Sequence, residues 1–465
     1  MFQKMFMNVR DVRPFVVRKV LLCVGWKKNL WIICRIEHCQ VVNFDYLCML
    51  ITENGVGMMK RLCCLLLMAL FVSVAMRAET YIERMEHIYN DTIEVSLLTC
   101  SPGNEAYSLY GHTAIRFHNF TTDEDWTFNY GVFNFRQENF VLKFAFGKTD
   151  YELGMFPMDA FMVEYRKEGR AVTEQVLNLT QEQKVNLFSA LYDNWRPENC
   201  QYRYNFFRDN CTTRARDIIF GAVNCDTCSI VVPASDGRRM TWRENLHIYT
   251  DGHVWDELGD DLALGQPADD EMSDDERQFL PFNLMDDFGK ATIRTAEGEV
   301  PLVVETRTIL DAGDVSQSGT DGVTPLQTIA ILALIIVVVF LIEIKKKKIF
   351  LALDVVLLLL IGVAGIVMTV LACSDHPATF FNWQILILTP LALVSLPFVV
   401  KATRRRTLCW WDAYLVAAVV VLYVVGLAGV QDVPMFTLVL AGCLLTRSLV
   451  RRIIFRTFAS NHKKE

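Results

Sequence analysis

The segment RDNCTTRARD, residues 208–217, places a cysteine where a helix is predicted to begin. Asn210 precedes this cysteine and is a favourable N-cap, while apolar residues at helical spacing continue to Ala222. A thiol at a helix N-terminus lies at the positive end of the helix dipole, which lowers its pKa and makes it more nucleophilic. Cys211 is therefore a candidate nucleophile. The alternative is a buried structural cysteine or one half of a disulfide.

A thiol nucleophile needs a base, and the position of His112 makes it the candidate. In SLYGHTAIRFHN the residues alternate in character from Thr113, which predicts a strand with His112 at its start, after Gly111. The next predicted strand, residues 126–135, is an antiparallel neighbour and carries Asn129. From there Asn129 can accept the N–H of the imidazole ring and fix its tautomer. A lone histidine is more often structural, so the prediction depends on this placement.

Five cysteines fall between residues 79 and 311: Cys100, Cys200, Cys211, Cys225 and Cys228. In an oxidising compartment an odd number leaves at least one thiol unpaired. The close spacing of Cys225 and Cys228 favours a local bridge, and Cys100 with Cys200 is a second candidate pair, which leaves Cys211 as the free thiol. Zinc is the competing interpretation. A single C-x-x-C motif without nearby histidines is a weak metal signal, so we predict no metal and no other cofactor.

The composition divides the chain of 465 residues into two parts. Hydrophobic residues make up 52% of the sequence, and five long apolar stretches lie in its last third. The candidate spans are residues 326–344, 351–371, 383–400, 413–430 and 435–449, each near the length that crosses a bilayer. We therefore predict an all-α domain of five transmembrane helices over residues 326–450. The net charge of −7 argues against nucleic acid as a partner.

Residues 58–78 have the layout of a secretory signal peptide, with a basic start, an apolar run and small residues before an acidic stretch. Translation is expected to start at Met58 or Met59. Residues 1–57 would then be an extension outside the working protein, and a genuine cytoplasmic leader is the alternative. The signal peptide sends residues 79–311 to the periplasm.

Charges between the spans predict the same topology. Basic clusters follow the first, third and fifth spans, whereas the other two loops carry no lysine or arginine. By the positive-inside rule the basic loops, with the tail 451–465, face the cytoplasm. We therefore predict a multi-pass protein of the inner membrane with its catalytic domain in the periplasm.

Two segments between the domains have a biased composition. Residues 312–325 are rich in glycine, serine and aspartate and are predicted to form the linker into the first span. The acidic run DDEMSDDE, residues 269–276, is interpreted as a solvated loop. A calcium site is the alternative, but the spacing of its carboxylates does not match a known calcium loop.

Taken together, YGHTAIRF, NYGVFNF and YRYNFFRDNCTTRARD resemble the circularly permuted branch of the papain-like NlpC/P60 hydrolases, in which the histidine strand precedes the cysteine helix. More narrowly, the whole region from Met59 to the C-terminus resembles the Lnb-type lipoprotein N-acyltransferases. The resemblance implies an α+β papain-like fold for the domain before the spans. It also implies that Cys211 is the nucleophile and His112 its base. For the third member Asn129 is preferred to Tyr130.

The resemblance also implies a reaction. A cysteine-dependent acyltransferase of this kind moves an acyl chain from a phospholipid to the α-amino group of a diacylglyceryl-cysteine lipoprotein, through a thioester. Donor and acceptor are both anchored in the bilayer, so the catalyst must lie against it. Arg214 and Arg208 are candidates for holding a lipid phosphate. Their alternatives are a surface charge or a pair with Asp209 or Asp217.

Further substrate contacts are expected near the membrane. Tyr110 stands two residues before the predicted base. The outer loop after the second span carries Asp375 and His376, with Asn382 at the start of the next span, and could line the lipid entrance. Ionisable residues at a span end are often merely interfacial, which is the alternative.

Two other functions remain open at this point. A periplasmic cysteine amidase or peptidase acting on cell-wall peptides would keep its activity without the spans. A non-catalytic membrane-anchored binding protein would have a disulfide-bonded Cys211 that does not react with thiol reagents.

Overall fold

The computed structural model of the protein describes residues 88–133, 139–234, 237–313 and 322–461. We refer to residues 88–313 as the sheet domain and to residues 322–461 as the helical region. The predicted extension 1–57, the signal peptide 58–78, most of the linker 312–325 and the last four residues lie outside the described residues.

A seven-stranded antiparallel sheet forms the body of the sheet domain. Its strands are β1 (Ile93–Cys100), β2 (His112–Asn119), β3 (Glu124–Val132), β4 (Asp150–Pro157), β5 (Val172–Leu177), β6 (Gln201–Arg203) and β10 (Val303–Leu310). They lie in the order β10-β5-β1-β2-β3-β4-β6. A second sheet of three strands consists of β7 (Ser229–Val231), β8 (Thr292–Thr295) and β9 (Gly298–Pro301).

Helices cover both faces of the large sheet. They are α1 (Phe140–Ala145), α2 (Met158–Glu168), α3 (Gln181–Trp195), α4 (Cys211–Val223), α5 (Trp242–Thr250), α6 (Val254–Ala263) and α7 (Pro281–Lys290). Helix α2 packs on one face through Met162 and Tyr165. Helix α3 packs on the other face through Phe188, whose ring contacts Phe117 of β2 and Phe128 of β3. Residues on both faces of β1 and β2 are therefore buried between the helices, and the predicted combination of helices and strands is confirmed.

The helical region consists of α8 (Pro325–Lys346), α9 (Leu351–Ala372), α10 (Leu391–Arg404), α11 (Trp410–Leu427) and α12 (Met435–Asn461). Among the described residues, four helices are long and apolar enough to cross a membrane: Pro325–Lys346, Leu351–Ala372, Trp383–Arg404 and Trp410–Leu427. The predicted fifth span is the first part of α12. This helix carries four arginines from Arg447 onward and is not one of the four candidate spans.

Five buried charged residues lie inside the helical region, and we call them the charge network. Arg447 donates to Glu343 at 2.5 and 2.9 Å and to Asp354 at 2.8 Å. Arg451 lies 3.2 Å from Asp354 and 2.8 Å from Asp412. Charges removed from water are tolerated only when they are paired, so the network ties α12 to α8, α9 and α11.

The sheet domain is hydrogen-bonded to the outer loops of the helical region. Gly265 donates its N–H to the carbonyl of Ala378 at 2.7 Å, and Gln384 donates to the carbonyl of Asp261 at 2.7 Å. A Cβ atom on Gly265 would stand 2.1 Å from the carbonyl oxygen of Phe380, so this approach requires a glycine. Residues 373–382 and 428–434, the two loops without lysine or arginine, both contact the sheet domain.

A buried arginine supports this contact from within the sheet domain. Arg243 of α5 is 2% exposed and pairs with Asp261 at 3.0 Å and with Asp269 at 2.8 Å. Asp269 is the first residue of the acidic run that was expected to be a solvated loop. The same run carries Met272, which is buried in an apolar cluster. The expectation is therefore wrong for part of the run, because its first half is anchored in the domain.

Candidate active site

Cys211 is the first residue of α4, as the N-cap pattern predicts. The side chain of Asn210 accepts hydrogen bonds from the N–H groups of Thr212 at 2.8 Å and Thr213 at 2.9 Å. The hydroxyl of Thr213 in turn accepts from the Asn210 N–H at 2.9 Å. This reciprocal cap fixes the start of the helix and leaves the N–H of Cys211 itself unused by the cap.

Pairing of β2 with β3 brings His112 to Asn129. Ile115 lies opposite Phe128, so His112 and Asn129 are diagonal neighbours on adjacent strands. The imidazole Nε2–H donates to Asn129 Oδ1 at 2.5 Å. Because Asn129 occupies Nε2, the nitrogen available to the thiol of Cys211 is Nδ1. The three residues predicted to form the site are thus brought together, while their roles stay a prediction.

The electrostatics of the pair favour a reactive thiol. Burial opposes ionisation of Cys211, but the neighbouring charge of His112 and hydrogen bonds from His112, Thr113 and Thr212 lower its pKa to about 7. For His112, burial works against the charged form, yet the Cys211 thiolate and the hydrogen bond with Asn129 raise the pKa of the imidazole. Both shifts favour a thiolate beside an imidazolium, which is the nucleophilic form of a cysteine–histidine pair.

Gly131 is a site residue that the sequence analysis missed. It has a φ of 93°, and a Cβ atom there would stand 3.6 Å from Cys211 Cβ and 3.8 Å from His112 Cε1. The pairing of β3 with β4 shifts register between Tyr130 and Val132, at this glycine. A glycine inside a strand pattern often marks a bulge or a close approach, and that signal was present in the sequence.

Aromatic rings lie beside the thiol. Tyr151 stacks on Tyr204 with ring centroids 4.1 Å apart, and Phe133 lies 5.2 Å from Tyr151. Burial and the nearby Cys211 thiolate raise the pKa of Tyr151 to about 12 and raise that of Tyr204 as well. These rings offer apolar surface next to the nucleophile. No motif predicted them, because β4 and the segment before α4 are distant in sequence.

The two arginines expected to hold a phosphate are placed differently. Arg214 donates to both carboxylate oxygens of Asp209, at 2.5 and 2.8 Å, and its guanidinium lies 3.7 Å from the centroid of the Tyr202 ring. The guanidinium of Arg214 therefore binds within the protein, in the pair with Asp209 that was the alternative to a phosphate contact. Arg208 is largely exposed and lies 3.8 Å from Glu276.

Tyr110 also has a partner within the protein. Its hydroxyl donates to Asp260 of α6, and its ring packs edge-on against Phe206 at 5.1 Å. Burial and the neighbouring acids raise the pKa of Asp260 to about 6, although the Tyr110 hydroxyl opposes this shift. The contact fixes α6 next to the start of β2. The Tyr110 hydroxyl therefore positions this helix, instead of contacting a substrate as expected.

Asn382 does not line an open lipid entrance. It is 6% exposed, and its amide donates to the carbonyl of Leu262 at 2.7 Å. Its side-chain oxygen accepts from the Gln384 N–H at 3.1 Å and from Gln431 Nε2 at 3.2 Å. The predicted substrate contact is therefore wrong for this residue, because its hydrogen-bonding groups are used to join the sheet domain to the helical region.

Asp375 and His376 contact the segment that follows β3. The N–H of Asp375 donates to the carbonyl of Phe146 at 3.0 Å. His376 Nε2 donates to the carbonyl of Phe144 at 2.5 Å. Both residues remain at the outer face of the helical region, where a lipid entrance was expected.

The predicted Cys100–Cys200 disulfide is wrong. Both residues are free thiols, and Cys100 is buried among the residues that α2 covers. Cys200 immediately precedes β6, which is four strand positions away from β1 in the sheet. Four spacings amount to about 19 Å, whereas a disulfide requires Cα atoms within about 7 Å. Counting cysteines gives no information on the distances between them, which is why the predicted pairing is wrong.

Cys225 and Cys228 lie in one tight turn. The N–H of Cys225 donates to the carbonyl of Cys228 at 2.8 Å, and both are free thiols in the structure. A bridge between them stays a prediction. Cys211 is likewise a free thiol.

One group of described side chains has the composition of a metal site. His247, Glu257 and Asp261 place ligand atoms within 4.8 Å of one another. However, Asp261 Oδ1 already accepts from Arg243 at 3.0 Å and contacts His247 Nε2 at 2.9 Å. The guanidinium supplies the positive charge that a cation would bring, so the donor set does not favour a metal.

Comparison with protein families gives two matches. The model of the Lnb N-terminal periplasmic domain matches residues 83–243, and the model of the Lnb transmembrane domain matches residues 316–457. No curated protein and no solved structure matches the chain. Cys211, His112 and Asn129 lie within the first matched range. Helix α6, which contacts the helical region, lies between the two matched ranges.

Proposed function

The chain belongs to the Lnb family, with a periplasmic domain and a C-terminal membrane region, and from this premise we propose that it is a lipoprotein N-acyltransferase. Lnb domains suggest a membrane protein that modifies lipoproteins. The specific reaction that we propose moves an acyl chain from a phospholipid to the α-amino group of a diacylglyceryl-cysteine lipoprotein. The acyl group is carried as a thioester on Cys211.

One observation carries this proposal. The residues Cys211, His112 and Asn129 converge in a domain that is hydrogen-bonded to the outer loops of the helical region. Such an attachment holds a nucleophile at the membrane surface, where both lipid substrates are anchored. A hydrolase of soluble wall peptides gains nothing from it. The antiparallel sheet, with the histidine strand preceding the cysteine helix, also supports a permuted papain-like fold for the sheet domain.

In the first step the Cys211 thiolate attacks the ester carbonyl of the phospholipid and forms a tetrahedral intermediate. The bond between the carbonyl carbon and the glycerol oxygen then breaks. His112, as imidazolium, gives its proton to the departing alkoxide, so that a lysophospholipid leaves and the acyl group stays on sulfur. Asn129 keeps the ring oriented by accepting the other N–H.

The intermediate needs a donor for its oxyanion. The N–H groups at the start of α4 are candidates, but the Asn210 cap uses those of Thr212 and Thr213. The N–H of Cys211 is the one that the cap leaves available in this turn. We propose it as one oxyanion donor.

In the second step the neutral His112 accepts a proton from the α-amino group of the lipoprotein. The amine attacks the thioester carbonyl, an amide bond forms, and the Cys211 thiolate leaves. Water must be kept from the thioester until the amine arrives. The rings of Tyr151 and Tyr204 beside the thiol provide apolar cover for this purpose.

We also propose that α12 crosses the membrane as a fifth span, with its C-terminal arginines in the cytoplasm. A helix of 27 residues is about 40 Å long, which suffices to span a bilayer. Its buried arginines Arg447 and Arg451 are neutralised by carboxylates of neighbouring helices. A reporter fused after Glu465 should be active only on the cytoplasmic side, and activity in the periplasm would exclude this topology.

The function is tested by incubating the purified full chain with acyl-labelled phospholipid and then with a diacylated lipoprotein. We expect hydroxylamine-sensitive label on Cys211, followed by label in amide linkage on the lipoprotein. Cells that lack the protein should accumulate lipoproteins with a free α-amino group. Release of free fatty acid without transfer, or cleavage of wall peptides, would favour a hydrolase instead.

A further inference from the structure

The segment after β3 exposes apolar side chains beside the outer loop of the helical region. Leu142 is 60% exposed, Phe144 49% and Phe146 39%. Lys143 and Lys148 flank these residues and are exposed as well. Apolar side chains next to lysines are typical of segments that lie in the interface of a membrane with anionic headgroups. We call residues 142–148 the lipid-contact segment.

The position of this segment is fixed by the outer loop. Its backbone carbonyls accept hydrogen bonds from Asp375 and His376, and the His376 ring packs edge-on against Phe144 at 5.6 Å. Gly147 has a φ of 67°, and a Cβ atom there would stand 2.6 Å from the backbone nitrogen of His376. Two pieces of backbone therefore approach so closely that the segment cannot withdraw from the loop without breaking several contacts.

The outer loop places the segment at the level of the membrane surface. The loop connects two candidate spans, and it exposes Phe380 and Phe381 immediately before the second of them. Aromatic residues at the ends of spans lie among the lipid headgroups. The lipid-contact segment is attached to this loop, at the end of a candidate span.

The lipid-contact segment is joined through the backbone to the aromatic rings beside the thiol, because the N–H of Tyr204 donates to the carbonyl of Thr149, the residue after the segment, at 3.2 Å. Phe133 directly follows β3, the strand that carries Asn129 and Gly131, and its ring lies beside Tyr151. Tyr151 in turn stacks on Tyr204 beside Cys211. An acyl chain leaving the interface can follow these rings to the nucleophile with little exposure to water.

We propose that the lipid-contact segment inserts into the outer leaflet and presents the ester of a phospholipid to Cys211. This inference rests on the proposed function, because it assigns the route by which the acyl donor reaches the same site. The occupant that we infer is the phospholipid bilayer itself. A polypeptide on this surface is the competing occupant.

Photocrosslinking in the full chain tests the contact without requiring catalysis. A benzoylphenylalanine replaces Phe144 in one variant and Phe120 in another, and each protein is reconstituted in vesicles of phosphatidylethanolamine and phosphatidylglycerol. Phe120 is a matched control, since it is 53% exposed and packs on His118 as Phe144 packs on His376. Phe120 lies in the turn that follows β2, whereas His112 is at the other end of this strand. We expect a phospholipid adduct at position 144 and none at position 120.

Equal adducts at both positions, or no lipid adduct at position 144, would overturn the inference. When a diacylated lipoprotein is included in the vesicles, a crosslink from position 144 to it in place of phospholipid would also overturn the inference, because the surface would then bind the acceptor.

Kinetics provide a second test. Phe144→Asp should raise the KM for vesicle phospholipid by about tenfold, as expected when an aromatic side chain loses its apolar environment. The kcat and the rate of Cys211 alkylation should stay unchanged, and Phe144→Leu should restore the KM. Phe120→Asp should behave as the parent protein. Unchanged kinetics of Phe144→Asp would refute the lipid contact alone. A lipid adduct at position 144 without any acyl transfer would instead refute the proposed function.

Discussion

The two regions of the molecule use ionisable groups in opposite ways. In the sheet domain, Cys211 and His112 are partly exposed at the ends of their elements and interact mainly with each other and with Asn129. In the helical region the five charges of the charge network are fully buried, and each has a partner on another helix. A group that must react needs access and must not be fully paired within the protein. A buried charge that holds helices together needs an oppositely charged partner. Substitutions near Cys211 should therefore impair acyl transfer, whereas substitutions in the charge network should lower the stability of the protein.

The largest effect is expected from Cys211→Ala, which should remove transfer completely while thermal unfolding of the protein stays unchanged. No thioester can form without the sulfur, so hydroxylamine-sensitive label should be absent. Cys211→Ser is expected to trap the acyl group, because an oxygen ester reacts more slowly with an amine than a thioester does. Cys200→Ala, at the edge of the sheet, is the control and should transfer normally. Full N-acylation by Cys211→Ala would exclude the mechanism.

His112→Ala should lower the rate of transfer by about 10²–10⁴-fold, the usual loss when a general base is removed. It should also move the pH dependence of Cys211 alkylation. Burial raises the pKa of the thiol, but the charge of His112 together with hydrogen bonds from His112, Thr113 and Thr212 lowers it to about 7, so alkylation of the parent protein should rise with a midpoint near that pH. Without His112 the midpoint moves upward. His118→Ala, on the same strand, should leave both measurements unchanged, and an unshifted midpoint in His112→Ala would contradict the assignment.

Arg447→Leu should destabilise the protein by about 3–5 kcal/mol, because it leaves Glu343 and Asp354 with less compensation inside the helical region. The measurement is the yield of folded protein and its unfolding in denaturant. Arg456→Leu is the matched control, since this arginine lies on the same helix and is exposed. Adding Glu343→Gln to Arg447→Leu should recover part of the loss. Equal stability of the two single variants would show that the charge network does not hold the helices.

The smallest effect is expected from Asn129→Ala. A hydrogen bond to a group that becomes charged contributes about 1.5 kcal/mol, so transfer should fall by about tenfold. The loss should be smaller than that of His112→Ala, because Asn129 orients the ring without taking part in proton transfer. A loss as large as that of His112→Ala would mean that Asn129 also contacts the substrate.

Much of the candidate site could be predicted because its signals are local. An N-cap pattern locates Cys211 at the start of α4, and alternation locates His112 at the start of β2. Asn129 follows from the antiparallel pairing of two strands that are adjacent in sequence. The helices of the membrane region follow from apolar runs of sufficient length, since every residue in lipid must be compatible with it.

Other predictions failed where residues distant in sequence decide the outcome. The Cys100–Cys200 pair was inferred by counting, but the order of the strands separates the two residues. Asn382 had the position of a lipid contact, yet the sheet domain covers it. Gly131 was visible as a glycine within a strand, but its proximity to the thiol depends on how α4 packs against β3.

The sequence by itself determined the division into a sheet domain and apolar helices, the start of α4 and the types of residue available for catalysis. These follow from periodicity, capping and hydrophobicity, which act over a few residues. The tertiary structure alone decided which of these groups meet. It decided that Nε2 of His112 faces Asn129, that Tyr110 donates to Asp260, and that the segment after β3 lies on the outer loop. Such contacts join residues tens to hundreds of positions apart, and they form only when the packing of whole elements has fixed the distance between them.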